Sequence, residues 1–473
     1  MFRVRREFSA PVCDQIHVQT QPISTLALIV ANIIVYVITS YESFFMEISD
    51  YWVNAGGFVP FLITIPSQFY RIFLSMFLHA DIFHILFNMY YLYLFGRAVE
   101  LALGKWRFLA LYIISGISAS IFHTAFSFLG GVSAYVIPAI GASGAISGVL
   151  GAYLILFPGT SLIMGRFFIF FPVFFRIKAA YYLLFWFATQ LIYGYAIAGE
   201  SVAFFAHVGG FIAGIALLPL VASRERIIEF RIMRRFILPF HIVLISRPKR
   251  KMGLSMMTKA ILATLLVSII FGAAYASSGL SIKSKLKAIT IQYSLEGASY
   301  IDYAGLQIPD IEDQISSISQ DATRILLSRF YAAGLLYNAS KANENGHFVW
   351  NGELKMRVKV GLATATVNVP TTINFYGEYD ADGFLKSGRG NLTTCIITIS
   401  PYSPYTVDLS SPVNYIFDLN SQTVNLASIT QLAGVVSLLT TAAALIVSLT
   451  KDKYLTLVGE EPEKPRVSLP PYI

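Results

Sequence analysis

The chain has 473 residues, of which 55% are hydrophobic and only 13% charged, with a formal net charge of +8. Soluble domains carry about a quarter charged residues, so this balance excludes an ordinary soluble protein and points to an integral membrane protein. The positive charge argues for membrane topology rather than for nucleic acid, because it is local: ten Lys/Arg and two acids lie between Ser223 and Lys259, whereas residues 281–430 hold eleven basic and thirteen acidic side chains.

Taken in chain order, Arg3, Arg5 and Arg6 precede an apolar run at 23–40. Tyr41, Glu42, Phe44 and Phe45 follow that run where a cleavable signal peptide would place small residues, so the run reads as a retained first span. A bilayer core of about 30 Å needs about 20 apolar residues per helix. On that template further spans are expected at 82–101, 106–127, 138–158, 179–198, 202–222, 260–279 and 431–450. The loop from Tyr41 to Tyr70 is rich in Phe, Ile and Trp and carries Pro60 and Pro66. Two readings fit it: a segment lying partly in the outer interface, or an ordinary loop packed on the helices.

The connections sort by charge. Lys105, Arg107, Arg166, Arg176, Lys178 and the ten-residue basic cluster fall on one side, and Glu42, Glu47, Asp50 and Glu200 on the other. The positive-inside rule then puts both termini in the cytoplasm and residues 281–430 outside. The expected division is a cytoplasmic N-terminus (1–22), a six-helix core (23–222), a basic cytoplasmic linker (223–259), a seventh helix (260–279), an outer domain (281–430), an eighth helix (431–450) and a disordered cytoplasmic tail (451–473). The fold class is thus an all-α polytopic membrane protein whose last two helices flank a β-rich α+β domain.

Within residues 281–430 the segment KMRVKVGLATATVNV (355–369) alternates polar and apolar residues, as a half-buried strand does. TTCIITIS (393–400) is β-branched and bounded by turn formers, and DATRILLSRFYAAGLLY (321–337) has helical spacing. No motif there names a ligand. The sequons at Asn338 and Asn391 fit an exterior location. Cys13 and Cys395 are the only cysteines, too few and too far apart for a disulfide framework. No CxxC or Cys/His cluster of the kind that holds zinc is present, and no cofactor is expected.

Polar groups inside spans are costly and are therefore functional candidates. They are few: His79, His84 and Asn88 at the start of the second span, His123 late in the third, Ser143 at the start of the fourth and His207 at the start of the sixth. The second, fourth and sixth spans run in the same direction, so residues near their starts share one depth, on the outer side. Ser143, Ser147 and Gly151 share one helix face, as do His207, Gly210 and Gly214. Small residues let membrane helices pack backbone to backbone, which would bring Ser143 beside His207. A serine hydroxyl needs an adjacent base to become a nucleophile, and a neutral imidazole is the usual one. Gly141 and Gly144 allow a tight entry into the helix, whose first amides would face an oxyanion.

The stretches RIFLSMFLHADIFHILFNMYYLYLFGRAVE (71–100), GASGAISGVLGAY (141–153) and AHVGGFIAG (206–214) resemble the rhomboid family of intramembrane serine proteases. The resemblance covers about residues 20–222 and implies Ser143 as nucleophile and His207 as general base, with His84, Asn88 and the Ser143 amide as oxyanion donors. It further implies substrates that are single-span transmembrane proteins cut near the outer leaflet, and structural roles for Glu100 and Gly104. Phe87 is implied near the substrate gate. Tyr70-Arg71 stands where the family usually has Trp-Arg, a departure that bears on the packing of the loop. His79 and His123 read as structural. With no acid visible beside His207, a dyad is expected rather than a triad. The location expected from these features is the plasma membrane. Two other readings stand beside the protease: a silent relative that binds or sorts transmembrane clients, and a receptor or adhesion protein acting through the outer domain, whose ligand the sequence does not name.

Overall fold

The computed structural model describes residues 21–168, 171–197, 203–236, 250–295, 297–308, 310–316, 318, 320–360, 363–399 and 407–462. Cys13, the N-terminal arginines, much of the basic linker and the last eleven residues of the tail lie outside these. The chain divides into two compact units, one of Lys283–Leu426 and one comprising the remainder on both sides of it.

In the larger unit, α1 is Ile23–Ser40. It buries Thr25, Leu28, Asn32, Tyr36 and Thr39, one stripe at helical spacing. Ile33, Ile34, Val37 and Ile38 on its other side are exposed. Such an apolar outer face is stable where lipid, not water, surrounds the helix. The short helices α2 (Asp50–Gly56) and α3 (Tyr70–Leu74) belong to the long first loop. Phe58, Phe61 and Leu62 of that loop are buried, while Phe44 stands 87% exposed at its tip. The loop therefore packs on the helices and presents an apolar tip outward. Next, α4 (Ile82–Tyr91) continues through a π-helical turn (Leu92–Gly96) into α5 (Arg97–Leu103). The Glu100 carboxylate accepts from the amides of Ser24 and Thr25 at 2.8 and 2.7 Å, capping the start of α1 from across the bundle. Gly104 then breaks the chain before α6 (Lys105–Phe126).

The next helix, α7, spans only Ser143–Leu156, and every residue after Ser143 is buried. The expected fourth span, 138–158, is thus too long by several residues: residues 139–141 are held as non-helical backbone by bonds to Phe58 and Ser75. A hairpin of β1 (Ser161–Phe168) and β2 (Phe171–Lys178) follows, which the hydropathy pattern did not announce. Then come α8 (Ala179–Ala196), α9 (Phe204–Val221), α10 (Arg224–Phe236), the short β3 (Arg250–Lys251) and α11 (Met256–Ser277). Among the described residues, five helices are long and apolar enough to cross a membrane: Ile23–Ser43, Lys105–Gly130, Phe204–Val221, Met256–Ser277 and Leu426–Leu455. The other expected spans fall on α4–α5, the shorter α7, and α8. The chain is a multi-pass membrane protein.

The smaller unit is built on a six-stranded antiparallel sheet, ordered β5-β4-β11-β8-β7-β6. Its strands are β4 (Lys285–Leu295), β5 (Ala298–Leu306), β6 (Asn345–Val360), β7 (Ala363–Tyr379), β8 (Leu385–Thr394) and β11 (Val413–Asn425). The small β9 (Ile397–Ile399) and β10 (Val407–Leu409) pair beside it. Helix α12 (Ile311–Ser316) supplies Ile311 and Ile315, and α13 (Asp321–Ala332) supplies Leu326, Leu327 and Phe330, to a core shared with Ile291, Phe375 and Phe417 of the sheet. The segment 355–369 is not one strand but the two arms of the β6–β7 hairpin, with Lys359 opposite Thr364. Alternation runs along both arms, so periodicity alone did not separate them. The helix expected over 321–337 stops at Ala332, after which Leu335 and Leu336 turn back to bond the Phe330 carbonyl.

After β11 the chain enters α14 (Leu426–Ile446), a π-helical turn (Val447–Lys451) and α15 (Asp452–Leu455), and ends its described part with β12 (Glu461–Pro462) against β3. The disordered tail expected from residue 451 onward is therefore corrected over 451–462. The Thr456 hydroxyl donates to the Ile155 carbonyl at 2.8 Å, and the Leu457 amide to that of Leu156 at 2.7 Å. These are orphan carbonyls at the end of α7. The buried Glu460 carboxylate accepts from the Ser255 amide, the Ser255 hydroxyl and the Thr258 hydroxyl at 2.8–3.0 Å, at the start of α11. A charged, proline-containing sequence reads as solvated, yet here its acids find buried donors.

Candidate active site

The site begins where the chain turns into α7. Gly141 has a φ of +125°, a conformation that side chains rarely adopt. A Cβ there would sit 2.8 Å from His84 Nε2 and 3.5 Å from Ser143 Oγ, so glycine also leaves the space between these two groups open. The Gly141 amide donates to the Ser75 carbonyl at 2.8 Å, which fixes the entry. No side chain caps the start of α7. Its first amides are therefore left for another acceptor. One turn on, the Ser147 hydroxyl donates to the Ser143 carbonyl at 2.6 Å.

His207 lies in the first turn of α9, and its Nε2 is 2.8 Å from Ser143 Oγ. The approach is set by glycines on both helices. A Cβ on Gly210 would lie 1.9 Å from the Gly144 carbonyl oxygen, and one on Gly214 at 1.9 Å from that of Gly148. Backbone thus meets backbone along α7 and α9. Gly144 faces Ala119 of α6 on its other side, at 2.6 Å from an added Cβ.

On α4, Asp81 caps the helix by accepting from the His84 amide at 2.8 Å. The His84 Nδ1 accepts from the Ala80 amide at 3.3 Å. That bond puts the ring proton on Nε2, the nitrogen facing Gly141 and Ser143. Asn88 is buried one turn further along the same face. A cavity of about 40 Å³ opens beside Ser143, lined by Gly116, Ala119, Ser120 and His123 among others. His123, expected as a structural residue, lines this cavity, and its ring makes no hydrogen bond among the described residues. His79 is fully buried and joined through Nδ1 to the Phe77 carbonyl at 3.2 Å, with its ring edge-on to His84 at 5.1 Å.

Arg71 pins the long loop: its guanidinium donates to the Gln68 side chain and to the carbonyls of Asn54 and Gly57 at 2.6–3.0 Å. Tyr70 bonds the Ala55 carbonyl at 2.7 Å, so the tyrosine holds the loop with its hydroxyl. Phe87 stands 60% exposed on the outer face of α4 with Phe83, Leu86 and Tyr90.

One residue escaped the sequence argument. Gln190 of α8 is buried, and its Oε1 lies 2.8 Å from His207 Nδ1. A glutamine within an expected span meets the same criterion that singled out the histidines. An amide carries no charge, and a search for acids beside His207 passes over it. Trp186, one turn earlier on α8, sets its ring 6.2 Å from that of His207.

The rhomboid domain family matches residues 66–224, which contain all of these groups. Rhomboid protease AarA of Providencia stuartii is 30% identical over 139 residues, 28% of this chain and 50% of that protein. Rhomboid protease GluP of Bacillus subtilis is 35% identical over 116 residues, 24% of this chain and 21% of that protein. Inactive rhomboid protein 1 of Rattus norvegicus is 30% identical over 176 residues, 35% of this chain and 18% of that protein. The chain thus spans half or less of each of these relatives, and they include both proteases and an inactive protein.

Proposed function

Starting from a rhomboid domain at residues 66–224, we propose that the chain is an intramembrane serine endopeptidase that cuts transmembrane proteins with a Ser143–His207 pair. The observation that carries this reading is the 2.8 Å bond between His207 Nε2 and Ser143 Oγ at the start of a buried helix. An uncharged imidazole within hydrogen-bond reach of a hydroxyl is the arrangement general-base catalysis requires. His207 takes the hydroxyl proton as Ser143 Oγ attacks the scissile carbonyl. The oxyanion is met by the Ser143 amide, by His84 Nε2–H across the gap that Gly141 leaves, and by the Asn88 amide. The imidazolium then gives its proton to the leaving amine, and a water repeats the sequence on the acyl-enzyme.

A helical substrate hides its carbonyls in backbone bonds and must unwind before attack. Single-span substrates with small or helix-breaking residues near the outer leaflet fit that demand. The small residues around the cavity beside Ser143 support this substrate class. The charge pattern supports cytoplasmic termini and an outer location for the Lys283–Leu426 unit, and the plasma membrane is the proposed site of action.

The test is a fluorophosphonate probe on the purified protein, which reports an activated serine without a substrate. Wild type should be labelled, and Ser143→Ala and His207→Ala should not. Cleavage of a transmembrane substrate by Ser143→Ala at wild-type rate, free of other proteases, would overturn the proposal. The client-binding reading, in keeping with the inactive relative, would then replace it.

A further inference from the structure

We infer that Gln190 is a positioning residue, the neutral third member of a Ser143–His207–Gln190 relay. The inference rests on the protease reading and adds to it what holds the base in its working form. His207 can accept the Ser143 proton only if Nε2 is bare, and a neutral imidazole with a bare Nε2 carries its proton on Nδ1. The partner of Nδ1 must then be an acceptor. Gln190 Oε1 is that partner, at 2.8 Å, while the amide nitrogen turns to the Thr189 hydroxyl at 3.4 Å. The opposite orientation would aim two donors at Nδ1, force the proton onto Nε2 and remove the base.

The environment explains why an amide does this work. Among the described residues no carboxylate reaches His207: its two ring nitrogens bond Ser143 and Gln190. A carboxylate at this depth would be an uncompensated charge whenever the imidazole is neutral. An amide oxygen fixes the tautomer with no such charge, and its dipole still favours the imidazolium that forms as Ser143 attacks. Gln190 is 9% exposed and sits one turn from Trp186, whose ring flanks His207, so α8 holds the imidazole from two sides. The step balances without any co-reactant: the proton on Nδ1 stays there throughout, and only the Nε2 proton is exchanged with Ser143 and the leaving amine.

The experiment compares Gln190→Met, which keeps length and packing but removes the acceptor, with Gln190→Glu, which burial holds as the neutral acid and whose carbonyl oxygen keeps the acceptor. Two readouts are taken on the full chain in detergent: steady-state cleavage of a transmembrane substrate, and the downfield proton resonance of His207 Nδ1–H. Gln190→Met should lower kcat by about 10–10²-fold with KM unchanged, less than the 10⁴-fold loss known where a charged third member is replaced. It should also lose the resonance to solvent exchange, and Gln190→Glu should restore both. Wild-type kcat in Gln190→Met, or equal loss in the two variants, overturns the inference. If the wild type itself proves inert, the protease reading falls, and the resonance alone still decides whether Gln190 holds the Nδ1 proton.

Discussion

Gly210→Ala adds a single methyl group at one of the two tightest points between α7 and α9, the one nearer His207. Its Cβ would lie 1.9 Å from the Gly144 carbonyl oxygen, where ordinary contact begins at 3.4 Å. The obstacle is backbone, so no rotamer relieves it, and the helices must part locally by about 1.5 Å. Half of that displacement carries His207 Nε2 from 2.8 Å to about 3.5 Å from Ser143 Oγ, the outer limit of a hydrogen bond. Overpacking of this kind costs about 1–3 kcal/mol of stability. A misplacement of about 1 Å between reacting groups can lower the rate about 10²-fold. The assay is cleavage of a transmembrane substrate together with thermal unfolding in detergent. Gly96→Ala serves as the control, because its Cβ would come no nearer than 3.1 Å to any neighbour, the Leu92 Cδ1 methyl at the end of a side chain. Gly210→Ala at wild-type rate and wild-type thermal midpoint would refute the claim that backbone contact between these helices sets the catalytic distance.

Three further outcomes are expected. Asn88→Ala and His84→Ala should each lower kcat by about 10²–10³-fold, since the Ser143 amide remains as a donor, whereas Ser143→Ala, His207→Ala and their double variant should be equally inert; additive losses in the double variant would separate the pair. Thr456→Val removes the donor to the Ile155 carbonyl and should lower stability in thermal unfolding by about 1 kcal/mol, and a chain truncated after Arg250 should lose more; an unchanged midpoint in the truncated chain would make the C-terminal strap dispensable. Cys395 is buried and so reports topology poorly, but a cysteine replacing Tyr376, which is 70% exposed, should react with an impermeant maleimide on intact cells; labelling only after lysis would invert the proposed orientation.

The parts of the site that were legible in the sequence share one physical signature. His84, Asn88, Ser143 and His207 are polar groups at the starts of apolar runs, and a membrane tolerates such groups only where they serve a purpose. The spacing of Gly210 and Gly214 announced close packing because small residues at helical intervals do little else in lipid. Gln190 was hidden by being neutral, and the strap at 452–460 by looking solvated. Its carboxylates are satisfied by Ser255, Thr258 and Lys259, some 200 residues earlier, and sequence order gives no sign of that pairing. The β6–β7 hairpin was hidden for the opposite reason, since alternation runs along both of its arms.

The length of α7 links the strap to the chemistry. Fourteen residues reach about 21 Å, against a hydrocarbon core of about 30 Å. Near the end of α7, Lys178 reaches the Glu460 carbonyl and Arg231 bonds the carbonyls of Tyr454 and Thr456. These cations mark the inner interface in the proposed orientation. In that orientation, with Leu156 held at this level by the strap, a helix along the membrane normal would leave Ser143 about 9 Å below the outer surface, the difference between the two lengths. A full-length helix would have lifted the serine into the headgroups, where a transmembrane substrate offers no bond inside the bilayer. By fixing the inner end of a short helix, the last described segment of the chain sets the depth of the proposed nucleophile, and so packs as part of the helical unit rather than as a tail.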